Sequence, residues 1–430
     1  MPLATVLLLA ALLMGLPLRA QTPADPVVAS RAAYQEAVRA YKAQDVVAFL
    51  RHAREAERLR PAHGGVVYTL ASAYALAGDT AAALATLRRF AALGHTADLD
   101  ADSDFTVLRG LPPFDSVRQS LRANAVPLVR SRPAFTLVQR DLLTEGIAYD
   151  PRSRSFFVGS VHQGKILRVD ERGRTSELVP SGLPGFWAPL GMRVDPTRRA
   201  LWVAATGLPQ MVGFDSADAG RSGIFRFDLA TGALTGRYPV PDDGQPHALG
   251  DVTVARNGDV YATDSRGPGL YRVRAGGDSI ERFLSSPLLL SAQGLALDAE
   301  ERTLYVADYS RGVLRIDLAS REVRLLETAD DVLALGIDGL YLVAGSLVGI
   351  QNGVAPHRVV RLRLDGAGDR IERAEILERA RPDYAEPTLG VVVGRDLYYV
   401  AASQWERFRD DGTVDAAETL RPPLVLRLRL

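Results

Sequence analysis

Carboxylate and amide side chains recur at matching places in this chain from Phe135 onward. Each stands before a short apolar stretch such as "GLALD", and the set comprises Glu145, Asp251, Gln293, Asp331 and Glu386. Oxygen atoms gathered in this way suit a hard divalent cation such as calcium, which takes six to eight oxygen ligands. A carboxylate beside such a cation can also accept a proton from water. The recurrence therefore predicts a polar site, provided that the fold brings these stretches together.

A second group of polar residues lies later in the same segments, between two strand-like stretches. It consists of His162, Asp264, Asp308, Gln351, Asn352 and Gln404. Together with Glu386 these are candidate ligand-binding residues, because function usually lies on loops that a rigid scaffold positions. The alternative is turn chemistry, in which Asp and Asn side chains bond turn amides and His162 is a satisfied loop histidine.

The elements that must position these residues follow a repeating pattern of period two. Six units such as "QGLALDAEERTLYVADYSRGVLRIDL" each supply three strands, and stretches such as "TSELV" and "IERFL" supply a fourth between units. The sixth unit ends without a fourth strand, and the stretch Phe135–Gln139 can fill that gap. Six four-stranded sheets closed by a strand from the other end predict a six-bladed β-propeller, which leaves no long sheet edge exposed. The fold class is therefore mainly β.

A propeller with this strand order gathers both polar groups on one face. The loops that enter the innermost strands and the loops that join the second and third strands both emerge around the central channel. We therefore expect the channel face to carry the site.

The N-terminal part of the chain has a different pattern. Residues 28–125 show apolar and alanine positions at helical spacing, and "YTLASAYALAGDTAAALATLRRF" resembles a tetratricopeptide repeat. Two such repeats are fewer than a free solenoid needs, so this small all-α region is expected to dock on the rest of the chain. Residues 126–134 are predicted to be a linker, and residues 135–430 the propeller.

Composition excludes several classes of protein. The chain has 51 basic and 51 acidic side chains, which argues against nucleic-acid binding, and it has no cysteine, which excludes disulfides and thiolate metal sites. Residues 1–20 resemble a cleaved signal peptide, so we expect a secreted or periplasmic protein with no other membrane segment.

The stretches "LLTEGIAYDP", "DVTVARNGDVYATDS" and "AQGLALDAEERTLYVADY" resemble the gluconolactonase/regucalcin (senescence-marker-protein-like) superfamily of six-bladed propellers. The resemblance implies Ca²⁺ or another divalent cation at the channel mouth, held by Glu145, Gln293 and Asp331. Gly250 and Gln293 stand where the family has asparagines, which implies weak binding. Leu190 stands where related paraoxonases have a histidine, so a histidine dyad is absent.

Three functions follow from these patterns. The protein is expected to bind a small-molecule ligand or a protein partner on its channel face, with a weak divalent cation. The alternative is a divalent-metal-dependent hydrolase of a lactone or small ester, in which Asp331 or Asp251 helps to activate water. The third is a scaffold whose face binds nothing.

Overall fold

The computed structural model describes residues 25–416 and 419–430, so the predicted signal peptide lies outside the described residues. The described part begins with helices and continues as a propeller. The helices are α1 Pro26–Lys42, α2 Val46–Leu59, α3 Gly64–Leu76, α4 Thr80–Ala92 and α5 Pro112–Ala125, with a 3-10 turn at Ser103–Leu108 before α5. Asp25, Asp45 and Asp79 start three of them by accepting hydrogen bonds from backbone N–H groups of the first turn. Among the described residues, no helix is long and apolar enough to cross a membrane.

Within the described ranges, twenty-five strands follow the helices, and they form six sheets around one axis. Blade one contains β2 Thr144–Asp150, β3 Ser155–Ser160, β4 Lys165–Val169 and β5 Thr175–Val179, and blade two contains β6 Ala188–Asp195, β7 Ala200–Thr206, β8 Ser222–Asp228 and β9 Leu234–Pro239. Blade three contains β10 Leu249–Val254, β11 Val260–Asp264, β12 Gly269–Val273 and β13 Ile280–Ser285, and blade four contains β14 Ala292–Leu297, β15 Thr303–Asp308, β16 Gly312–Asp317 and β17 Val323–Leu325. Blade five contains β19 Ile337–Val343, β20 Ser346–Gln351, β21 Arg358–Leu364 and β22 Arg370–Arg379, with the short β18 Glu327–Thr328 parallel to β22. Blade six contains β23 Gly390–Val393, β24 Asp396–Val400 and β25 Leu424–Arg429.

The fourth strand of blade six is β1 Arg132–Thr136, which pairs antiparallel with β25. The six-bladed propeller predicted from the repeats is thus confirmed. The closing strand comes from the N-terminal side of the repeats, as expected, although it begins at Arg132 rather than at Phe135. Leu137 follows the strand and is buried in an apolar cluster with residues of blades one and six, including Val158 and Val425.

The helical region docks on the loops of blades four and five. Leu93 packs with Leu333 and Val354. The buried Arg358 donates hydrogen bonds to the carbonyl oxygens of Leu93 (3.1 Å) and Gly94 (3.5 Å), just past the end of α4. A guanidinium group placed there also complements the negative end of the helix dipole. The helices therefore cover one side of the face on which the polar loops lie. Their tetratricopeptide-like nature stays a prediction.

Candidate functional site at the channel mouth

A two-residue bulge opens the innermost strand of five blades. The pairing register with the second strand shifts there, and the bulged pairs are Glu145-Gly146, Leu190-Gly191, Gly250-Asp251, Gln293-Gly294 and Asp338-Gly339. Blade six has Leu389-Gly390 at the start of its inner strand. Glycine fits because neighbouring inner strands approach closely: a Cβ at Gly146 would overlap the Leu190 carbonyl, and one at Gly294 the Asp338 carbonyl. The bulges therefore form a tight ring of side chains around the axis.

A cavity of about 200 Å³ lies inside this ring. Glu145, Asp251 and Asp338 line it and are only 8%, 4% and 8% exposed. Gln293, Gly250, Leu190 and Leu389 complete the ring, and Trp405 lines the cavity as well. The structure thus brings together three carboxylates and one amide at the channel mouth.

Each carboxylate is held by a neutral donor. Trp405 Nε1 donates to Glu145 Oε2 at 2.7 Å, and Asn352 Nδ2 donates to Asp338 Oδ2 at 2.8 Å. Asp251 Oδ1 accepts from the Val252 N–H at 2.8 Å. Within the residues that the structure describes, none of the three forms an ion pair. The group is therefore a buried concentration of negative charge that an added cation could relieve.

The electrostatics of the ring follow from burial. Burial raises the pKa of Glu145 well above its usual range, and the neighbouring Asp338 carboxylate raises it further. Burial also raises the pKa of Asp338, against the hydrogen bond from Asn352. The pKa of Asp251 rises to about 6 through burial, although Arg193 opposes this rise. Two like charges held close together resist ionising at the same time, so Glu145 and Asp338 retain a proton more readily than isolated carboxyl groups.

The structure does not bring Asp331 to this ring. Its side chain is exposed in the turn that precedes the inner strand of blade five. The carboxylate that stands in blade five at the bulge position is Asp338. The sequence signal for Asp338 is a recurring three-residue motif: a variable residue, then glycine, then an apolar residue. It appears as Glu-Gly-Ile, Gln-Gly-Leu and Asp-Gly-Leu. Aligning the repeats on that glycine selects Asp338, whereas aligning them on the apolar stretch "VLALGID" selects Asp331.

Three of the predicted ligand-binding residues hold loops in place. Asp264 is fully buried and accepts hydrogen bonds from two backbone N–H groups and from His247 Nδ1. Asp308 is fully buried and accepts four backbone N–H groups. His162 is buried and contacts the Gln210 carbonyl oxygen and the Phe408 ring. These contacts fit turn chemistry better than ligand binding.

Of the other four predicted residues, two bond backbone groups of loops and two act on the ring. Gln351 donates to two backbone carbonyls and accepts from Arg358, and Gln404 bonds the backbone of Arg421. Asn352 contacts the ring directly, through Asp338. Glu386 is half-buried and raises the pKa values of Glu145 and Asp338 by charge repulsion.

Two further contacts extend the site. Trp405 comes from the loop between β24 and β25, so its bond to Glu145 joins blade six to blade one. The Tyr309 hydroxyl donates to Asn352 Oδ1 at 3.0 Å, which continues the chain that starts at Asp338. A sequence pattern does not reveal either contact, because both partners come from different blades.

The donors at the ring are of the right chemistry for a hard cation, since all are carboxylate or amide oxygens. Among the described residues, however, no three His, Cys, Asp or Glu side chains are gathered closely enough to form a metal cage. Gln293 adds an amide oxygen, whereas the equivalent positions in three blades are Leu190, Gly250 and Leu389. A cation held by these oxygens would need several water ligands to complete its six to eight.

One protein family and several solved structures are similar to parts of this chain. Residues 143–332 match the model of the "SMP-30/Gluconolactonase/LRE-like region" family. No curated protein matches the chain. Solved structures that are similar in shape include a gluconolactonase from Xanthomonas campestris (18% identity, 71% of this chain and 97% of that one, TM-score 0.46). A second is virginiamycin B lyase from Staphylococcus aureus (16% identity, 61% and 79%, TM-score 0.44). A third is a putative oxidoreductase from Thermus thermophilus (17% identity, 69% and 99%, TM-score 0.47). The family match covers residues 143–332, which include blades one to four of the six-bladed propeller, so this segment is similar to the SMP-30/gluconolactonase/LRE-like family.

Proposed function

We propose that the protein is a lactonase-type hydrolase whose active site is the cavity at the channel mouth. The observation that supports this most directly is the set of three buried carboxylates, Glu145, Asp251 and Asp338, which have no ion-pair partner among the described residues. Buried charge is costly unless it is compensated, so such groups mark functional sites more often than structural ones. The proposed substrate is a small lactone or ester.

Glu145, Asp338 and Gln293 would hold a divalent cation such as calcium. A bound divalent cation polarises a carbonyl oxygen and stabilises negative charge that develops on it. Asp251 lines the same cavity, and a pKa of about 6 leaves it mostly ionised at neutral pH. Asp251 is therefore the residue that accepts a proton from the attacking water.

The remaining walls position the substrate and limit access of water. Leu190, Leu389 and Trp405 line the cavity beside the carboxylates. A lactone ring has an apolar edge and one polar ester group, and the cavity offers the same combination. Trp405 also holds Glu145 in place through its hydrogen bond.

The test is hydrolysis of glucono-δ-lactone by the purified chain, with calcium or with a chelator. We expect calcium-dependent hydrolysis that falls by at least about a hundredfold in Asp251→Asn, the range that removal of a proton acceptor produces. Asp331→Asn is the matched control, because this carboxylate is exposed outside the cavity and its loss should leave the rate unchanged.

A second candidate is ligand or partner binding without turnover. The three ring positions without an oxygen donor, Leu190, Gly250 and Leu389, favour it because they weaken any cation site. Calcium-dependent stabilisation of the wild type that Glu145→Gln abolishes, together with no hydrolysis of any lactone in a panel, would support this candidate. Absence of both effects would contradict both proposals.

A further inference from the structure

A cleft separates the helical region from the propeller loops of blades four and five. Its main chamber has a volume of about 470 Å³ and is lined by Arg31, Tyr34, Arg60, His63 and Tyr309, with the apolar Leu335 in its wall. A neighbouring chamber of about 420 Å³ shares Tyr34, His63, Leu335 and Gly353 with the first. The cleft is therefore built by both parts of the chain, and neither part forms it alone.

Two guanidinium groups meet on one residue at the edge of this cleft. Arg31 Nη2 donates to Ser310 Oγ at 3.1 Å, and Arg60 Nη2 donates to the Ser310 carbonyl oxygen at 2.7 Å. Because both bonds end on Ser310, the two cations lie close together. Each guanidinium has five N–H donors, so most of their donor capacity stays available.

The charges around this pair do not balance. Within the described ranges, neither Arg31 nor Arg60 forms an ion pair, and the nearby Arg311 is already paired with Asp25. Asp308, the carboxylate whose charge acts on Arg60, uses its oxygens on four backbone N–H groups. Burial and the charges of Arg31 and Arg311 lower the pKa of Arg60 to about 10. Burial and the charges of Arg60 and Arg31 lower the pKa of His63 to about 4. The cleft thus carries an excess of positive charge that an anion would relieve.

We propose that this cleft binds a small organic carboxylate, whose carboxylate group bridges Arg31 and Arg60. Planar guanidinium groups match carboxylate geometry with paired hydrogen bonds. The body of the ligand would lie against Tyr34, Val66 and Leu335, which supply aromatic and apolar surface in the same chamber. This site goes beyond the proposed hydrolase, because it shares no lining residue with the channel cavity.

The cleft and the channel are joined by two hydrogen bonds. Tyr309 lines the cleft and donates to Asn352, which in turn donates to the ring carboxylate of Asp338. Tyr309 therefore touches both the cleft and, through Asn352, a side chain bonded to Asp338.

The experiment is isothermal titration of the full chain, at low ionic strength and without added metal, with benzoate as the probe. Benzamide is the matched neutral ligand, since it has the same ring and nearly the same shape. We expect benzoate to bind and benzamide to bind at least tenfold more weakly. Arg31→Gln and Arg60→Gln should each weaken benzoate binding at least tenfold, while Arg88→Gln should not change it, because Arg88 is exposed on α4 outside the cleft.

Three results would overturn the proposal. One is equal binding of benzoate and benzamide, since charge would then play no part. Another is unchanged benzoate binding in Arg31→Gln, a substitution at an exposed side chain that leaves the fold intact. The third is inorganic phosphate binding more tightly than benzoate and competing with it, which would assign the cleft to phosphate rather than to carboxylates.

Discussion

Trp405 donates its indole N–H to Glu145 Oε2 at 2.7 Å, and this bond connects the last blade of the propeller to the first. The closing strand β1 belongs to blade six, and the apolar cluster around Leu137 that follows it contains residues of both blades. A group at the channel mouth thus depends on the joint where the ring of blades closes. Stability and site geometry are coupled at this joint.

Trp405→Phe should therefore cost stability beyond the loss of ring volume. The substitution removes the donor that faces a buried carboxylate, which costs about 1–3 kcal/mol. Trp187→Phe is the control, because Trp187 is buried but its Nε1 has no partner among the described residues, whereas the partly buried Trp405 donates to Glu145. Urea denaturation of both variants measures the difference, and equal losses would show that the hydrogen bond contributes nothing.

Asp338→Asn should remove most of the stabilisation by calcium, whereas Asp331→Asn should not. Calcium at about a hundredfold excess over its dissociation constant stabilises a protein by about 2.7 kcal/mol, which shifts the melting temperature by a few degrees. Loss of one carboxylate ligand weakens binding because affinity follows ligand charge. Melting temperature against calcium concentration gives the result. An effect of Asp331→Asn equal to that of Asp338→Asn would contradict the placement of the ring.

Leu137→Ala should destabilise the propeller by about 2–5 kcal/mol, the range for large-to-small changes in a core. Leu137 is 1% exposed between blades one and six, and its loss leaves a cavity at the closing joint. The adjacent Val138 is 90% exposed, so Val138→Ala should stay within about 0.5 kcal/mol of the wild type. Denaturant unfolding of the pair tests this, and similar losses in both would refute the assignment of the joint.

Acid should weaken the docking of the helical region through His95. Burial, and then the charge of Arg358, lower the pKa of His95 to about 4 from 6.5. The folded state therefore favours the neutral ring, so its contribution is complete above about pH 6.5 and is lost as the pH falls toward 4. The shift corresponds to at most about 3 kcal/mol.

The measurement is unfolding free energy at pH 7 and pH 5 for the wild type and for His95→Phe, which keeps a ring to stack on Phe90. We expect the variant to lose less stability between the two pH values. His52→Gln on α2 should lose as much stability between pH 7 and pH 5 as the wild type. If His95→Phe also loses as much as the wild type, another group controls the pH dependence of stability.

The repeats in the sequence predict the architecture well, for a physical reason. Each blade packs both faces of its sheet against neighbouring blades, so a largely apolar strand such as "TLYVAD", which is buried at every position, recurs from blade to blade. The unassigned strand-like stretch at Phe135 predicts how the propeller closes, because the sixth blade would otherwise have an unpaired edge.

The channel site is predictable only in part. Glu145 and Gln293 stand at the first position of the bulge, where the repeat places them, whereas Asp251 stands at the second position, where the other blades have glycine. Asp338 is displaced by seven residues in the alignment of the fifth repeat, where "VLALGID" imitates an inner strand. Trp405 and Tyr309 depend on contacts between different blades and loops, which no local pattern encodes. The signal peptide stays a prediction.

Leu190 and Leu389 give the ring a use in protein engineering. Each stands before a glycine, as do Glu145 and Asp338, so the backbone already presents its side chain toward the same cavity. A designer could install asparagine or histidine at either position without rebuilding a loop, because the bulge, and not the residue it carries, sets the geometry. The side chains that line the cavity can therefore be changed by single substitutions at six positions, without changing the blades.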